Sequence, residues 1–258
     1  MPRFKIPHGR HEQQFGHLYV PDEAVDGPIP IVMQIHGGFW SGQYGLNLGT
    51  AFAVELARHG VAVWNIEYRR LGAGGGWPEM SADVKTAYDE IPGLVAAKSS
   101  AEFDLNQIRL LGHSAGGHLA VWLAGEKDTF TRPERVIAQA AALDLASAGE
   151  RGRRISFIED LFGVPFEADP DLYRNASPQH RLPIGLPVVC VTGAEDLQVP
   201  AKVSSRYAKA AEAAGDPVAL RVIEGEGHDA FLSPSTESWR VSRELVLAED
   251  PLAPSTSD

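Results

Sequence analysis

The segment Gly112-His113-Ser114-Ala115-Gly116 constrains this chain more than any other feature. It has the form G-x-S-x-G. An apolar run, Ile108-Arg-Leu-Leu-Gly112, leads into it, and a segment apolar nearly all round, Ala115 to Leu123, leads out. The first reads as a buried strand and the second as a buried helix. A serine between them stands on a sharp strand-to-helix turn, with glycines two residues to either side removing side chains that would clash. Its hydroxyl is then presented at the carboxyl end of a sheet, where open α/β sheets bind ligands. The helix N-terminus behind it favours negative charge developing there.

The rest of the chain supplies such a sheet. Strand-like runs recur at Phe15 to Val20, Ile29 to Ile35, Val61 to Ile66, Leu186 to Thr192 and Val218 to Ile223. Arg135 to Leu143 is a further strand candidate, weakened by its alanines. Continuous apolar runs bounded by Gly and Pro are what a parallel sheet covered on both faces requires. Helical patterns lie between them: Thr50 to His59, Met80 to Ala97 with an interruption near Pro92, Val203 to Ala214, and Glu237 to Ala248. This alternation predicts an α/β fold with a mostly parallel central sheet flanked by helices. Residues 1–258 read as one domain. Residues 146–185 are too long for a simple connection and read as a short lid or insertion. Residues 249–258 read as a flexible tail.

A serine at neutral pH needs a base. His228, in Glu224-Gly-Glu-Gly-His228 after the last strand, sits in a loop able to reach back over the sheet. His180 is its rival. The base needs an acid, and Asp196 in Gly193-Ala-Glu-Asp196 follows the preceding strand. Asp144 is the alternative acid. The donors for a developing oxyanion are expected from the loop His36-Gly37-Gly38-Phe39-Trp40: the N–H groups of Gly38 and Phe39, together with that of Ala115. Trp40, His113 and Trp77 are candidates for the substrate pocket wall, beside Phe39. Glu67 and Arg69 are expected to pair beneath these loops. Arg151, Arg153 and Arg154 read as a solvated face, with an anion-attracting role as the minority reading.

Charge and cysteine content limit the partners. The net charge of −11 argues against nucleic acid. The single cysteine, Cys190, lies in an apolar strand and reads as a buried structural thiol. No apolar run approaches membrane-spanning length and the N-terminus lacks a secretory pattern, so a cytoplasmic protein acting on a small molecule, away from membranes, is expected. A homodimer is compatible with the sequence, which does not reveal the oligomeric state.

These motifs resemble the esterase branch of the α/β-hydrolases that carries HGG-x-W, including kynurenine formamidases (arylformamidases) and their carboxylesterase relatives. The resemblance rests on His36-Gly-Gly-Phe-Trp40, Glu67-Tyr-Arg69, Gly112-His-Ser-Ala-Gly-Gly-His-Leu-Ala120, Gly193-Ala-Glu-Asp196 and Gly227-His228. It implies the α/β-hydrolase fold, Ser114, Asp196 and His228 as the triad, and neither metal nor organic cofactor. The lipase-like relatives carry a third glycine where Phe39 stands, and here Tyr68-Arg69 continues into Arg70-Leu-Gly-Ala-Gly-Gly-Gly-Trp-Pro78. A small ester or an aryl formamide is the substrate class implied. A peptidase of the prolyl-oligopeptidase type and a non-catalytic binding protein are the alternatives.

Overall fold

The computed structural model describes residues 1–22, 27–98 and 101–253. Its centre is an eight-stranded sheet: β1 (Arg3–Pro7), β2 (Phe15–Tyr19), β3 (Ile29–Ile35), β4 (Ala62–Ile66), β5 (Phe103–His113), β6 (Arg135–Gln139), β7 (Val188–Gly193) and β8 (Val218–Ile223). The spatial order is β1-β2-β4-β3-β5-β6-β7-β8. The pairs β1/β2 and β2/β4 are antiparallel, and every other neighbouring pair is parallel.

Helices cover both faces: α1 (Thr50–Arg58), α2 (Glu79–Asp89), α3 (Ile91–Lys98), α4 (Ala115–Ala124), α8 (Lys202–Ala213) and α9 (Glu237–Leu247). The two faces follow from strand alternation. Ile31, Met33 and Ile35 of β3 enter one apolar cluster with α2, α3, α4 and α8, whereas Val32 enters the other with Phe52 of α1 and Trp239 of α9. The same division separates Val188 and Cys190 from Val189 and Val191 on β7. Both faces are buried, which is why these strands read as unbroken apolar runs. Burial pushes the Cys190 thiol up to about 12, as befits a structural thiol.

Several boundaries differ from those read in the sequence. β1 went unread because Ile6 is its one buried residue, so no apolar alternation marks it. β6 stops at Gln139, well short of Leu143: Ala140 adopts φ +43, and its N–H still reaches Val191 O, but the chain then leaves the sheet. Met80 to Ala97 splits at Glu90 into α2 and α3. Pro92 lacks the N–H that a continuous helix would direct to Tyr88 O.

Between β6 and β7 the chain forms three short helices, α5 (Ser147–Glu150), α6 (Ser156–Phe162) and α7 (Pro170–Ala176), followed by a single 3-10 turn at Pro178–His180. Ile158, Leu161, Phe162, Tyr173 and Ala176 join the larger core cluster, so the segment is anchored to the body of the protein. The tail is in contact over its described part: Pro251 is buried, and Arg221 donates to Ala253 O at 2.8 Å. Residues 254–258 lie outside the described residues. No helix among the described residues is long and apolar enough to cross a membrane.

Candidate active site

β5 ends at His113 and α4 begins at Ala115, so Ser114 alone makes the turn. It does so at φ 55°, ψ −117°, a conformation that a residue with a side chain rarely adopts. The turn is held by its own backbone: Ser114 N–H donates to Gln139 O at 2.8 Å, and Ser114 O accepts from His118 N–H at 3.0 Å. The flanking glycines are a packing requirement. A Cβ on Gly116 would lie 2.1 Å from Ile35 O, and one on Gly112 would lie 2.3 Å from Gly116 O.

The structure brings Ser114, Asp196 and His228 together from three loops at the carboxyl ends of β5, β7 and β8. His228 Nε2 lies 2.9 Å from Ser114 Oγ. His228 Nδ1 lies 2.7 Å from Asp196 Oδ2. The carboxylate can only accept there, so Nδ1 carries the proton and Nε2 is left to accept from the serine hydroxyl. Asp196 Oδ1 is in turn held by the N–H groups of Gln198 and Val199 at 2.9 and 2.8 Å. All three side chains are buried. The rivals stand apart: His180 Nε2 approaches Asp144 at 3.9 Å, and Asp144 accepts from Ser147 N–H at 2.9 Å.

The His36-to-Trp40 loop runs alongside Ser114. Gly38 has φ +112, and the two non-glycine residues after it also have positive φ, Phe39 at 53° and Trp40 at 55°. Glycine adopts this region freely, but Phe39 and Trp40 are costly there, and the surrounding contacts enforce them. Among the described residues, the N–H groups of Gly38, Phe39 and Ala115 make no hydrogen bond. Beneath the loop, Glu67 accepts from His36 Nε2 at 2.8 Å and from Leu46 N–H at 3.1 Å, and pairs with Arg70 at 2.9 Å. Burial opposes ionisation of Glu67, but these partners outweigh it and hold the carboxyl below the usual range. Arg70 also donates to Tyr44 O, and Tyr44 packs against Gly38. The expected Glu67–Arg69 pair therefore does not form. Arg69 instead makes a forked pair with Asp83 of α2, at 2.9 and 2.7 Å.

Trp40 is buried and donates from Nε1 to His118 Nδ1 at 3.2 Å, while His118 Nε2 donates to Ala176 O at 2.8 Å. One histidine thus links the loop, the elbow helix and α7. Burial drives its pKa down to about 4, so it is held neutral as one tautomer.

A cleft of about 620 Å³ is lined by Trp40, by Ala142 and by Gln198 and Val199, whose N–H groups hold Asp196. Trp40 and Phe157 wall one end of it, and Phe157 packs edge-on against Phe39 at 5.7 Å between ring centroids. Two pocket candidates lie elsewhere. His113 is buried beneath His228, with ring centroids 4.7 Å apart, and stacks on Phe231. Side chains alternate on a strand, so the residue before Ser114 faces the core, and burial lowers its pKa to about 3. Trp77 packs among His118, Trp122 and Phe162, one layer behind Trp40. Phe157 escaped sequence reading because its segment carries no periodic signal. Lys202 and Arg206, which also line the cleft, are spaced i, i+4 on α8, and that spacing was the signal available. Among the described residues, no group of three or more His, Cys, Asp or Glu side chains is placed to hold a metal ion.

Known proteins resemble this chain in sequence and in fold. It is 27% identical over 243 residues to a probable isoprenylcysteine alpha-carbonyl methylesterase of rice (Oryza sativa subsp. japonica), covering 86% of this chain and 57% of the relative. It is 27% identical over 262 residues to esterase LipC of Mycobacterium tuberculosis, covering 95% of this chain and 64% of that one. It therefore spans less than two thirds of the length of either. A truncated carbohydrate esterase from gut microbiota superposes with a TM-score of 0.77 at 19% identity, covering 95% of both chains. That likeness shows the fold alone, the α/β-hydrolase arrangement anticipated from the sequence. The BD-FAE family model matches residues 17–210 and so spans the elbow, the His36 loop and the Asp196 loop, and by this match the chain belongs to the BD-FAE family.

Proposed function

We propose that the protein is a serine carboxylesterase that works through an acyl-enzyme on Ser114. The observation that carries this reading is the hydrogen-bonded line Ser114 Oγ, His228, Asp196, at 2.9 and 2.7 Å. The two curated relatives, a methylesterase and an esterase, support ester over amide as the bond cleaved.

In the first half-reaction Ser114 Oγ attacks the ester carbonyl carbon, and its proton passes to His228 Nε2. Asp196, which keeps its charge, steadies the imidazolium. The N–H groups of Gly38, Phe39 and Ala115, which make no hydrogen bond among the described residues, are the donors for the oxyanion. The tetrahedral adduct collapses, the carbon–oxygen bond to the alcohol breaks, and the alcohol leaves with the proton from Nε2. In the second half-reaction water adds to the acyl carbon and its proton goes to Nε2. The bond to Oγ then breaks, and Ser114 recovers that proton. The neutral His113 beside His228 adds no charge that would oppose imidazolium formation.

The test is labelling by a fluorophosphonate alongside turnover of p-nitrophenyl acetate. Wild-type protein labels and turns over, and Ser114→Ala does neither. A folded wild type that fails to label disproves the reading. The aryl formamide class rests on the sequence resemblance carried by His36-to-Trp40, Glu67-to-Arg69, the elbow and the Asp196 and His228 loops, and turnover of N-formylkynurenine measured beside short acyl esters decides its share.

A further inference from the structure

The cleft beside the triad has a charge pattern that ester hydrolysis by itself does not need. It touches the machinery at three points. Trp40 ends the oxyanion loop, Ala142 donates its N–H to Ser114 O at 3.4 Å, and Val199 donates its N–H to Asp196. Its wall also carries four cationic side chains, Arg151 and Arg153 from the turn after α5, and Lys202 and Arg206 from the first two turns of α8. Asp144 is the one carboxylate among the lining residues.

These cations differ from other arginines nearby. Arg154 is forked onto Glu159 at 2.7 and 2.6 Å, Arg174 pairs with Glu150, and Arg181 pairs with Glu126. Among the described residues, Arg153 and Lys202 have no acidic partner, Arg151 bonds the Ser147 hydroxyl at 3.1 Å, and Arg206 reaches Asp144 at 3.7 Å. In a chain of net charge −11, available acids are plentiful, yet among these four cations only Arg206 faces a carboxylate, that of Asp144. A concave wall of one sign concentrates the field on whatever enters it. Guanidinium groups match a carboxylate in shape and hydrogen-bonding. The aromatic wall at Trp40 and Phe157 suits an apolar body between the scissile ester and that charge.

We infer that the cleft selects esters bearing a carboxylate, seated against Arg151, Arg153, Lys202 and Arg206 while the ester reaches Ser114. This inference deepens the esterase reading and rests on it. Two matched substrate pairs test it and distinguish which side of the ester holds the charge. Monomethyl terephthalate against methyl 4-carbamoylbenzoate places it on the acyl side. 4-Acetoxybenzoate against 4-acetoxybenzamide places it on the alcohol side.

The expected result is a kcat/KM about tenfold higher for the anion than for its neutral partner in at least one pair. That ratio falls about fivefold in the double variant Arg153→Ala/Arg206→Ala and shrinks in 0.5 M salt, where exposed charges are screened. Arg154→Ala, whose guanidinium is committed to Glu159, keeps the wild-type ratio. Ratios at or below one in both pairs overturn the inference, as does a ratio that the double variant leaves unmoved. If neutral esters are still cleaved in a Ser114-dependent way, the esterase reading survives that result. If no ester is cleaved at all, the esterase reading fails, and binding of monomethyl terephthalate to Ser114→Ala protein decides the cleft. Salt-sensitive binding weakened about fivefold by the double variant upholds the selection of carboxylates, and equal affinity for the carbamoyl analogue overturns it.

Discussion

The elbow with its facing loops and the insertion that roofs the cleft lie side by side and are built in opposite ways. Around Ser114 several buried side chains are paired: Asp196 accepts from two backbone N–H groups, Glu67 ties down His36, and His118 bonds on both nitrogens, whereas the buried His113 ring has no hydrogen-bond partner among the described residues. The backbone there is held at positive φ in four non-glycine or loop positions, Gly38, Phe39, Trp40 and Ser114. The cleft wall is made of short helices and exposed cations with few partners. Buried paired groups are pre-organised and tolerate no change. Exposed unpaired charges have no fixed partner to lose, and so suit selection rather than chemistry. In the proposed esterase the first region attacks the bond, and the second selects what surrounds it.

The largest effect should come from the paired region. Ser114→Ala is expected to lower kcat by about 10⁴-fold or more, read by p-nitrophenyl acetate turnover. Asp196→Asn should cost roughly 10³- to 10⁴-fold, since His228 loses the group that sets its tautomer. Asp144→Asn should change turnover less than about threefold, because Asp144 faces Arg206 and His180. Equal losses in the two variants would erase the contrast between the regions.

Acid sensitivity should also belong to the paired region. His113 and His118 have pKa values lowered by burial, to about 3 and about 4, so both stay neutral in the folded chain where the unfolded chain would protonate them. Their contribution is complete above about pH 6.5 and is lost as the pH falls from there toward about 4, at about 1.4 kcal/mol per pH unit for each histidine. Urea unfolding of His118→Gln should show a lower midpoint than wild type at pH 7 and a shallower decline between pH 6.5 and 4.5. A parallel decline in both proteins would show that His118 does not drive it.

Smaller effects are expected on the cleft side. Phe157→Ala removes a ring packed on Phe39 and Trp40, and should raise KM for aryl esters by about fivefold with little change in kcat. Arg154→Ala should move neither by more than about twofold, because an exposed ion pair contributes little.

The comparison also separates what was readable in the chain from what was not. The elbow was legible because a strained turn admits few residue types, and Gly112, Gly116 and the apolar runs around them all mark the same place. Asp196 and His228 were legible because each follows an apolar strand, and a parallel sheet delivers all its carboxyl ends to one edge. The rings of His113 and Trp77 lie outside the lining of the cleft, because their direction is set by tertiary packing and not by local sequence. The partners of Glu67 and Arg69 were misassigned for a related reason: Asp83 and Arg70 reach them through the packing of α2 and the loop, not through adjacency.

By itself, then, the sequence determined the α/β sheet, the elbow serine and the loops that carry its partners, because period-two burial and tight-turn sterics act locally and leave local signatures. Only the tertiary structure decided which cations share the cleft. Arg151 and Arg153 stand about fifty residues before Lys202 and Arg206, and no local rule relates them. They meet because the insertion anchors its apolar side chains in the core beside α8, a contact set by packing across the whole fold.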